Sequence, residues 1–354
     1  MKKLLIILLS TCLFLPIITP NKSYAASNVI SEIVMELNTG RVVHESNSNV
    51  KKYMASTTKI LTAIVIIENC DLDKIITVSS KSVGIEGSSI YLEVGEKISV
   101  KELLYGLMLR SGNDCAETLA LHCSGSIENF SKLMNDTAIK IGANNSNFTN
   151  PHGLHDDNHY TTAYDLALIS RYAMKNQTFR EIVSTKKIAI SNSNHDYKRI
   201  LINKNKMLSN FDGSNGIKTG YTKKAGRCLV SSANRDGLEF ICVVLNCAPM
   251  FERSIDLLSN AFNEYKNYKL FESDHVLKFI DVQNSNEKCG VYIKNDVIIP
   301  LTNDEYNNLD IYIDLPKTIS NSINKDEIIG SIKIFIKNNL IFEEKIYTII
   351  DVKI

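Results

Sequence analysis

The sequence predicts a protein of mixed helices and strands (α/β, of the α+β kind) followed by a smaller all-β domain. Three patterns support this fold class. Helical apolar spacing dominates residues 57–174, strand patterns and one last helix fill residues 186–265, and short alternating strands follow after about Leu270. The chain has 354 residues, 44% of them hydrophobic, which is enough for two domains with separate cores.

Residues 1–25 have the features of an export signal. Lys2 and Lys3 precede an apolar run over residues 4–18, and Ser23-Tyr24-Ala25 forms a cleavage-type site. The apolar run is shorter than the ~20 residues that a membrane-spanning helix needs, although an uncleaved anchor stays an alternative. Removing the segment takes away three lysines and no acidic residue, so the net charge changes from +1 to −2.

The first elements after the signal are a hairpin and a series of helices. Alternating strands on both sides of Asn38-Thr39-Gly40 predict a hairpin whose turn ends in glycine. Residues 57–69 are apolar nearly all round, as in a helix buried at the centre of a domain. Leucines at helical spacing predict a helix over residues 101–110, broken at Ser111-Gly112-Asn113. Further helices are predicted over residues 114–122, 127–141 and, from a capping box at Thr162, up to Met174.

Strands dominate the rest of the chain. They are predicted over residues 186–190, 229–233 and 240–245, before a helix over residues 251–265 that closes the first domain. Short strands then alternate with Asn, Asp and Pro, and residues 331–336 and 341–350 predict a terminal hairpin. We expect a catalytic domain over residues 26–270 and a C-terminal β-sandwich over residues 271–354.

Composition excludes several classes of function. A net charge of +1 argues against broad binding to nucleic acid. Seven cysteines follow the signal, an odd number without a CxxC pair, so at least one thiol is unpaired and a metal cluster is not expected. His152, His155 and His159 lie close together, but in a predicted loop. No metal or other cofactor is expected.

The first chemical motif is Ser56-Thr57-Thr58-Lys59, at the start of the predicted buried helix. Residues three apart share a helix face, so the Lys59 amine can lie beside the Ser56 hydroxyl. A lysine whose pKa is lowered by its surroundings can serve as the base for a serine nucleophile. The spacing alone is weak, because four other serines also precede a lysine by three residues. A helix cap with Lys59 on the surface is the simpler interpretation of this motif taken alone.

Two further motifs favour the chemical interpretation. Ser111 and Asn113 project a hydroxyl and a carboxamide from a predicted break between helices. Lys218-Thr219-Gly220 precedes a predicted strand, where the lysine and the threonine would suit a carboxylate and the glycine would admit a substrate backbone.

In this order S-x-x-K, S-x-N and K-T-G resemble the signature of penicillin-recognising serine enzymes. The flanking residues resemble the low-molecular-mass penicillin-binding proteins that are D-alanyl-D-alanine carboxypeptidases: residues 55–63, 109–114, Asn150-Pro151-His152-Gly153-Leu154 and 212–226. The resemblance spans residues 27–270. It implies an antiparallel sheet flanked by helices, followed by the C-terminal β-sandwich.

The resemblance also implies roles. Ser56 would be the acylated nucleophile, Lys59 its proton acceptor and Ser111 a proton relay to the leaving D-alanine. Asn113 would hold the substrate amide, Lys218 and Thr219 would bind the terminal carboxylate, and Gly220 would let the substrate approach. The N–H groups of Ser56 and Tyr221 would form the oxyanion hole. The implied partners are peptidoglycan stem peptides ending in D-Ala-D-Ala, with β-lactams as covalent inhibitors.

Three alternatives stay open at this point. A class A β-lactamase would need a glutamate in a suitable loop between Ser111 and Lys218, and Glu117, Glu128 and Glu181 lack that context. A D,D-endopeptidase of the same superfamily and a non-catalytic β-lactam or peptidoglycan binder are the others. The final residues follow a strand and not a basic amphipathic helix, so we expect an exported, secreted or wall-associated protein without a strong membrane anchor.

Overall fold

The computed structural model describes residues 29–273 and 275–354. The export signal predicted over residues 1–25 lies outside the described residues. Within the described part of the chain, every helix is too short or too polar to cross a membrane.

Helices and strands alternate through the first two thirds of the chain, and strands dominate the last third. The helices of the described residues are α1 (Lys59–Asn69), α2 (Val100–Tyr105), α3 (Asn113–Ser124), α4 (Ile127–Ile141), α5 (Ala163–Met174), α6 (Gln177–Ser184), α7 (Met207–Asn210), α8 (Met250–Glu264) and α9 (Asn303–Asn307). The strands are β1 (Ser31–Glu36), β2 (Val42–Ser46), β3 (Ile75–Thr77), β4 (Lys97–Ser99), β5 (Lys187–Ile190), β6 (Arg199–Ile202), β7 (Ser214–Thr222), β8 (Gly226–Arg235), β9 (Leu238–Leu245), β10 (Lys266–Phe271), β11 (Lys278–Val282), β12 (Lys288–Tyr292), β13 (Val297–Leu301), β14 (Leu309–Asp314), β15 (Thr318–Ile319), β16 (Ile328–Ile336) and β17 (Asn339–Thr348).

A five-stranded antiparallel sheet in the order β2-β1-β9-β8-β7 forms the centre of the first part. Successive residues of a strand face opposite sides, and β1 uses both sides. Ile33 and Met35 join the large core with the helices, whereas Val34 joins a second core with α8. The sheet therefore lies between two layers of helix, and β7 is left at its edge.

Helix α1 lies inside the large core, as the sequence predicts. Residues from Lys59 to Ile66 are all buried, and α1 contacts α3, α4 and α5. The preceding residues, Ala55–Thr58, form a separate 3₁₀ turn. The nucleophile predicted at the start of the helix therefore stands on this turn and not in α1 itself.

The predicted break after residue 110 is confirmed, but the helix before it changes form. Helix α2 ends at Tyr105, and Gly106–Arg110 form a wider π-helical turn. Ser111 then adopts a left-handed conformation with φ 64°, and α3 begins at Asn113. At the next predicted start, Thr162 does cap α5, while the Asp165 carboxylate accepts from Asn145 and Ser146.

The last third of the chain contains a six-stranded sheet, β14-β16-β17-β12-β11-β15, and the pair β10-β13 around a third core. The predicted terminal hairpin is β16–β17. The single-turn helix α9 was not predicted. The Arg41 guanidinium hydrogen bonds to the Pro300 carbonyl and pairs with Glu305, which ties this region to the first part.

Candidate active site

Ser56 stands on a turn that is fixed from several sides. Ala55 has a positive φ of 48°, and the hydroxyl groups of Thr57 and Thr58 donate back to the carbonyls of Met54 and Ala55. The Ser56 hydroxyl is left facing Lys59 and the cleft.

Lys59 is completely buried, so its interpretation as a surface residue is wrong. Its Nζ lies 3.1 Å from Ser56 Oγ, 2.6 Å from Asn113 Oδ1 and 2.6 Å from the carbonyl oxygen of His152. The S-x-x-K pair and the S-x-N asparagine therefore meet at one amine. The carbonyl of His152 completes the set.

The surroundings favour the neutral form of this amine. Burial lowers the pKa of Lys59 well below its usual range, and repulsion from Lys218 lowers it further. A neutral amine has two N–H groups and one lone pair. The oxygens of Asn113 and His152 can accept only, so they take the two N–H groups, and the lone pair is available to the Ser56 hydroxyl. This arrangement suits a general base.

The motif that begins at Ser111 contributes through two different groups. Ser111 lines the cleft beside Ser56. The carboxamide of Asn113 is buried, accepts from Lys59 and donates to the carbonyl of Glu86. In this structure Asn113 therefore holds Lys59 in place, and its proposed contact with a substrate amide stays a prediction.

Strand β7 brings the K-T-G motif against Ser56. A side chain at Gly220 would place its Cβ 3.0 Å from Ser56 N and 3.1 Å from the Met54 carbonyl oxygen, so glycine allows this close approach without a shift of the Ser56 turn. Lys218 is buried and donates to the Thr219 carbonyl at 2.9 Å. Burial lowers the pKa of Lys218 to about 7, with repulsion from Lys204 as a second cause. Tyr221 is exposed at the rim.

The loop around Gly153 packs against the turn that carries Ser56, next to Ala55 and Thr58. The three histidines of this region have separate partners: His152 lies 3.6 Å from Glu117, His155 lies 3.3 Å from Asp157, and His159 contacts Thr58 and Thr149. Thr149 N–H donates to His159 Nδ1, so the Nε2–H donates to Thr58 at 2.8 Å. His159 thereby anchors the loop to the turn that carries Ser56.

These elements enclose a cleft of about 370 Å³. Of the predicted residues, Ser56, Ser111, Thr219, Gly220 and Tyr221 line it, while Lys59, Asn113 and Lys218 lie behind the surface. The lining residues that the sequence did not reveal are Ser88, Lys204, Lys206, Arg227, Met250 and Phe251. A larger cavity of about 500 Å³ lies on the C-terminal sheet, near Tyr312 and Phe335, but it contains no activated nucleophile.

A serine hydroxyl within hydrogen-bond distance of a buried lysine, at the edge of an antiparallel sheet, is typical of serine hydrolases that act through an acyl-enzyme. The family model for D-alanyl-D-alanine carboxypeptidases matches residues 19–248, and the model for the C-terminal domain of penicillin-binding protein 5 matches residues 265–353. The chain belongs to the D-alanyl-D-alanine carboxypeptidase family. It is a serine-type carboxypeptidase with the penicillin-binding fold, so the resemblance in the sequence is confirmed.

Individual relatives agree with this family. The chain is 32% identical over 320 residues to the D-alanyl-D-alanine carboxypeptidase DacF of Bacillus subtilis (strain 168), covering 88% of this chain and 82% of that protein. Among solved structures it is similar to penicillin binding protein 5 from Haemophilus influenzae, with a TM-score of 0.80, 26% identity and coverage of 92% and 97% of the two chains. It is also similar to DacD from Francisella tularensis, with a TM-score of 0.71, 28% identity and coverage of 91% and 93%.

Proposed function

We propose that Ser56 attacks the carbonyl of the penultimate D-alanine in peptidoglycan stem pentapeptides and that Lys59 takes its proton. The observation that carries this assignment is the 3.1 Å contact between Lys59 Nζ and Ser56 Oγ, in a buried environment that lowers the pKa of the amine and so favours its neutral form. As the new C–O bond forms, the carbonyl becomes an oxyanion. It would accept hydrogen bonds from the N–H groups of Ser56 and Tyr221.

The remaining motif residues would complete the cycle. Ser111 would carry the proton from Lys59 to the departing amine, so that the C–N bond breaks and neutral D-alanine amine leaves. Water would then attack the ester, lose its proton to Lys59 and restore the Ser56 hydroxyl. Lys218 and Thr219 would hold the terminal carboxylate. Asn113 would bind the substrate amide through the second N–H group of its carboxamide, because the first donates to the Glu86 carbonyl and Oδ1 accepts from Lys59.

Penicillins would acylate the same Ser56, because their ring carbonyl and carboxylate present the same two groups to the cleft.

We also propose that residues 1–25 export the protein and that it acts outside the cytoplasm, in secreted or wall-associated form. The charge pattern of that segment supports export. A domain boundary near residue 270 is supported by the separate core of the C-terminal strands.

The test compares Ser56→Ala with Ser285→Ala. Ser285 also precedes a lysine by three residues, but it is exposed, so this variant is a matched control for the spacing alone. We expect the wild type and Ser285→Ala to bind fluorescent penicillin covalently and to release D-alanine from a pentapeptide, whereas Ser56→Ala does neither. Labelling and release by Ser56→Ala would show that another nucleophile does the chemistry.

The same assay separates the endopeptidase alternative. A cross-linked stem-peptide dimer can be offered beside the pentapeptide at equal concentration. Release of D-alanine from the pentapeptide well above cleavage of the dimer is the expected result, and the opposite order would assign the enzyme to cross-link cleavage.

A further inference from the structure

Arg227 is a cation in the cleft that the proposed mechanism does not use. Its side chain is exposed and lines the cleft together with Tyr221. Among residues 29–273 and 275–354, no acidic side chain forms an ion pair with Arg227, and the cleft is lined by no carboxylate at all. An arginine is well suited to bind a carboxylate through two parallel hydrogen bonds.

The position of Arg227 is fixed relative to the reaction centre. It lies on β8 directly opposite Tyr221 of β7, and its guanidinium carbon stands 5.5 Å from the centre of the Tyr221 ring. This cation–π contact restricts the positions that the Arg227 guanidinium group can adopt. Arg227 therefore lies level with Tyr221, near the end of β7. Along the direction of β7, Lys218 lies before Gly220 and Arg227 lies after it.

The proposed function gives the direction in which the substrate crosses the cleft. The terminal carboxylate would lie at Lys218 and Thr219, and the carbonyl under attack would lie at Ser56, beside Gly220. The peptide therefore runs antiparallel to β7, whose outer edge is open in the five-stranded sheet. With about 3.3 Å per extended residue, the residue before the penultimate D-alanine falls at the level of Tyr221, which is the level of Arg227.

We propose that Arg227 selects stem peptides whose third residue carries a free carboxylate in its side chain. This inference rests on the proposed function, because that function sets the direction of the peptide. The preferred substrate class is thus a pentapeptide with a diaminodicarboxylic acid at position three. The amidated form of that residue and a lysine at the same position would lose the ion pair with Arg227.

The experiment measures kcat/KM for D-alanine release from three pentapeptides that differ only at position three: diaminopimelate, its side-chain amide, and lysine. The wild type should prefer the free carboxylate over its amide by about fivefold, the size expected for one exposed ion pair. The preference should shrink at high salt, because salt screens exposed charges. Arg227→Gln should bring the ratio close to one, and Arg227→Lys should keep part of it.

The matched control is Lys223→Gln. Lys223 is an exposed cation in the turn after β7 and does not line the cleft, so the variant removes the same charge from the same region. It should keep the wild-type preference. A wild type that is active but indifferent to the third residue, or an unchanged preference in Arg227→Gln, would overturn this inference and leave the proposed function intact. A wild type that releases no D-alanine from any of the peptides would overturn the proposed function itself.

Discussion

Gly153→Ala should lower the rate of acylation, although the substitution replaces no residue with a proposed catalytic role. Gly153 has a φ of 84°, and a Cβ added to it would lie 1.9 Å from the carbonyl oxygen and 2.4 Å from the carbonyl carbon of Ala55. Both atoms belong to the backbone, so no side chain can rotate away to make room. The loop with His152 and the turn with Ser56 must therefore move apart.

The size of the effect follows from these distances. Real contacts of this kind are not shorter than 3.0 Å, so a separation of 1.9 Å must grow by about 1 Å. A displacement of ~1 Å between reacting groups can lower a rate on the order of 100-fold. The left-handed conformation costs alanine about 1–2 kcal/mol, and the overlap adds about 1–3 kcal/mol. We expect slow acylation and a free energy of unfolding lowered by roughly 2–5 kcal/mol.

Gly125→Ala separates the overlap from the backbone strain. Gly125 has a similar φ of 74°, but nothing lies within 4 Å of its added Cβ. This control should lose only about 1–2 kcal/mol and should acylate normally. The measurements are urea unfolding and the rate of labelling by fluorescent penicillin. If Gly153→Ala matched Gly125→Ala in both, the packing of this loop against the Ser56 turn would not set the geometry of the site.

Two further predictions concern pH. Asn113→Asp places a carboxylate where the present Oδ1 lies 2.6 Å from Lys59 Nζ, so it should raise the pKa of Lys59. Acylation should then fall at pH 7 and recover as the pH rises, whereas a rate that stays low at every pH would contradict this. Lys218, with a pKa of about 7, loses its charge as the pH rises through that value. The kcat/KM for a peptide with a free terminal carboxylate should therefore decline above pH 7, and a peptide ending in D-alaninamide should lack this decline.

The elements that were predictable from the sequence are those with a strong local pattern. The sequence predicts a helix over residues 57–69 because nearly all of its side chains are apolar, and α1 (Lys59–Asn69) does lie inside the core. The Ser-Gly-Asn sequence from Ser111 predicts the break before α3. The motif serines and lysines could be found because three short motifs follow one another in a recognisable order, whereas the S-x-x-K spacing alone also occurs at four other serines. Their convergence on Lys59 Nζ is a result of packing between distant segments.

Other contributions have no local pattern. His152 acts through its backbone carbonyl, which any residue possesses, and it lies 93 positions from Lys59. Lys204 and Arg227 are two among 40 basic residues, and only the fold shows that both line the cleft. The dual contact of the Asn113 carboxamide with Lys59 and Glu86 likewise depends on where the segment before α2 passes.

The open edge of β7 has a consequence for solubility. An unpaired strand edge offers a row of N–H and C=O groups to any other chain in extended conformation, and so promotes aggregation. An enzyme that receives its substrate along such an edge has to leave it uncovered. Lys204, Lys206 and Arg227 stand around this edge. Two copies of the protein that approached each other edge to edge would bring these like charges together, which disfavours self-association while a small anionic peptide can still enter.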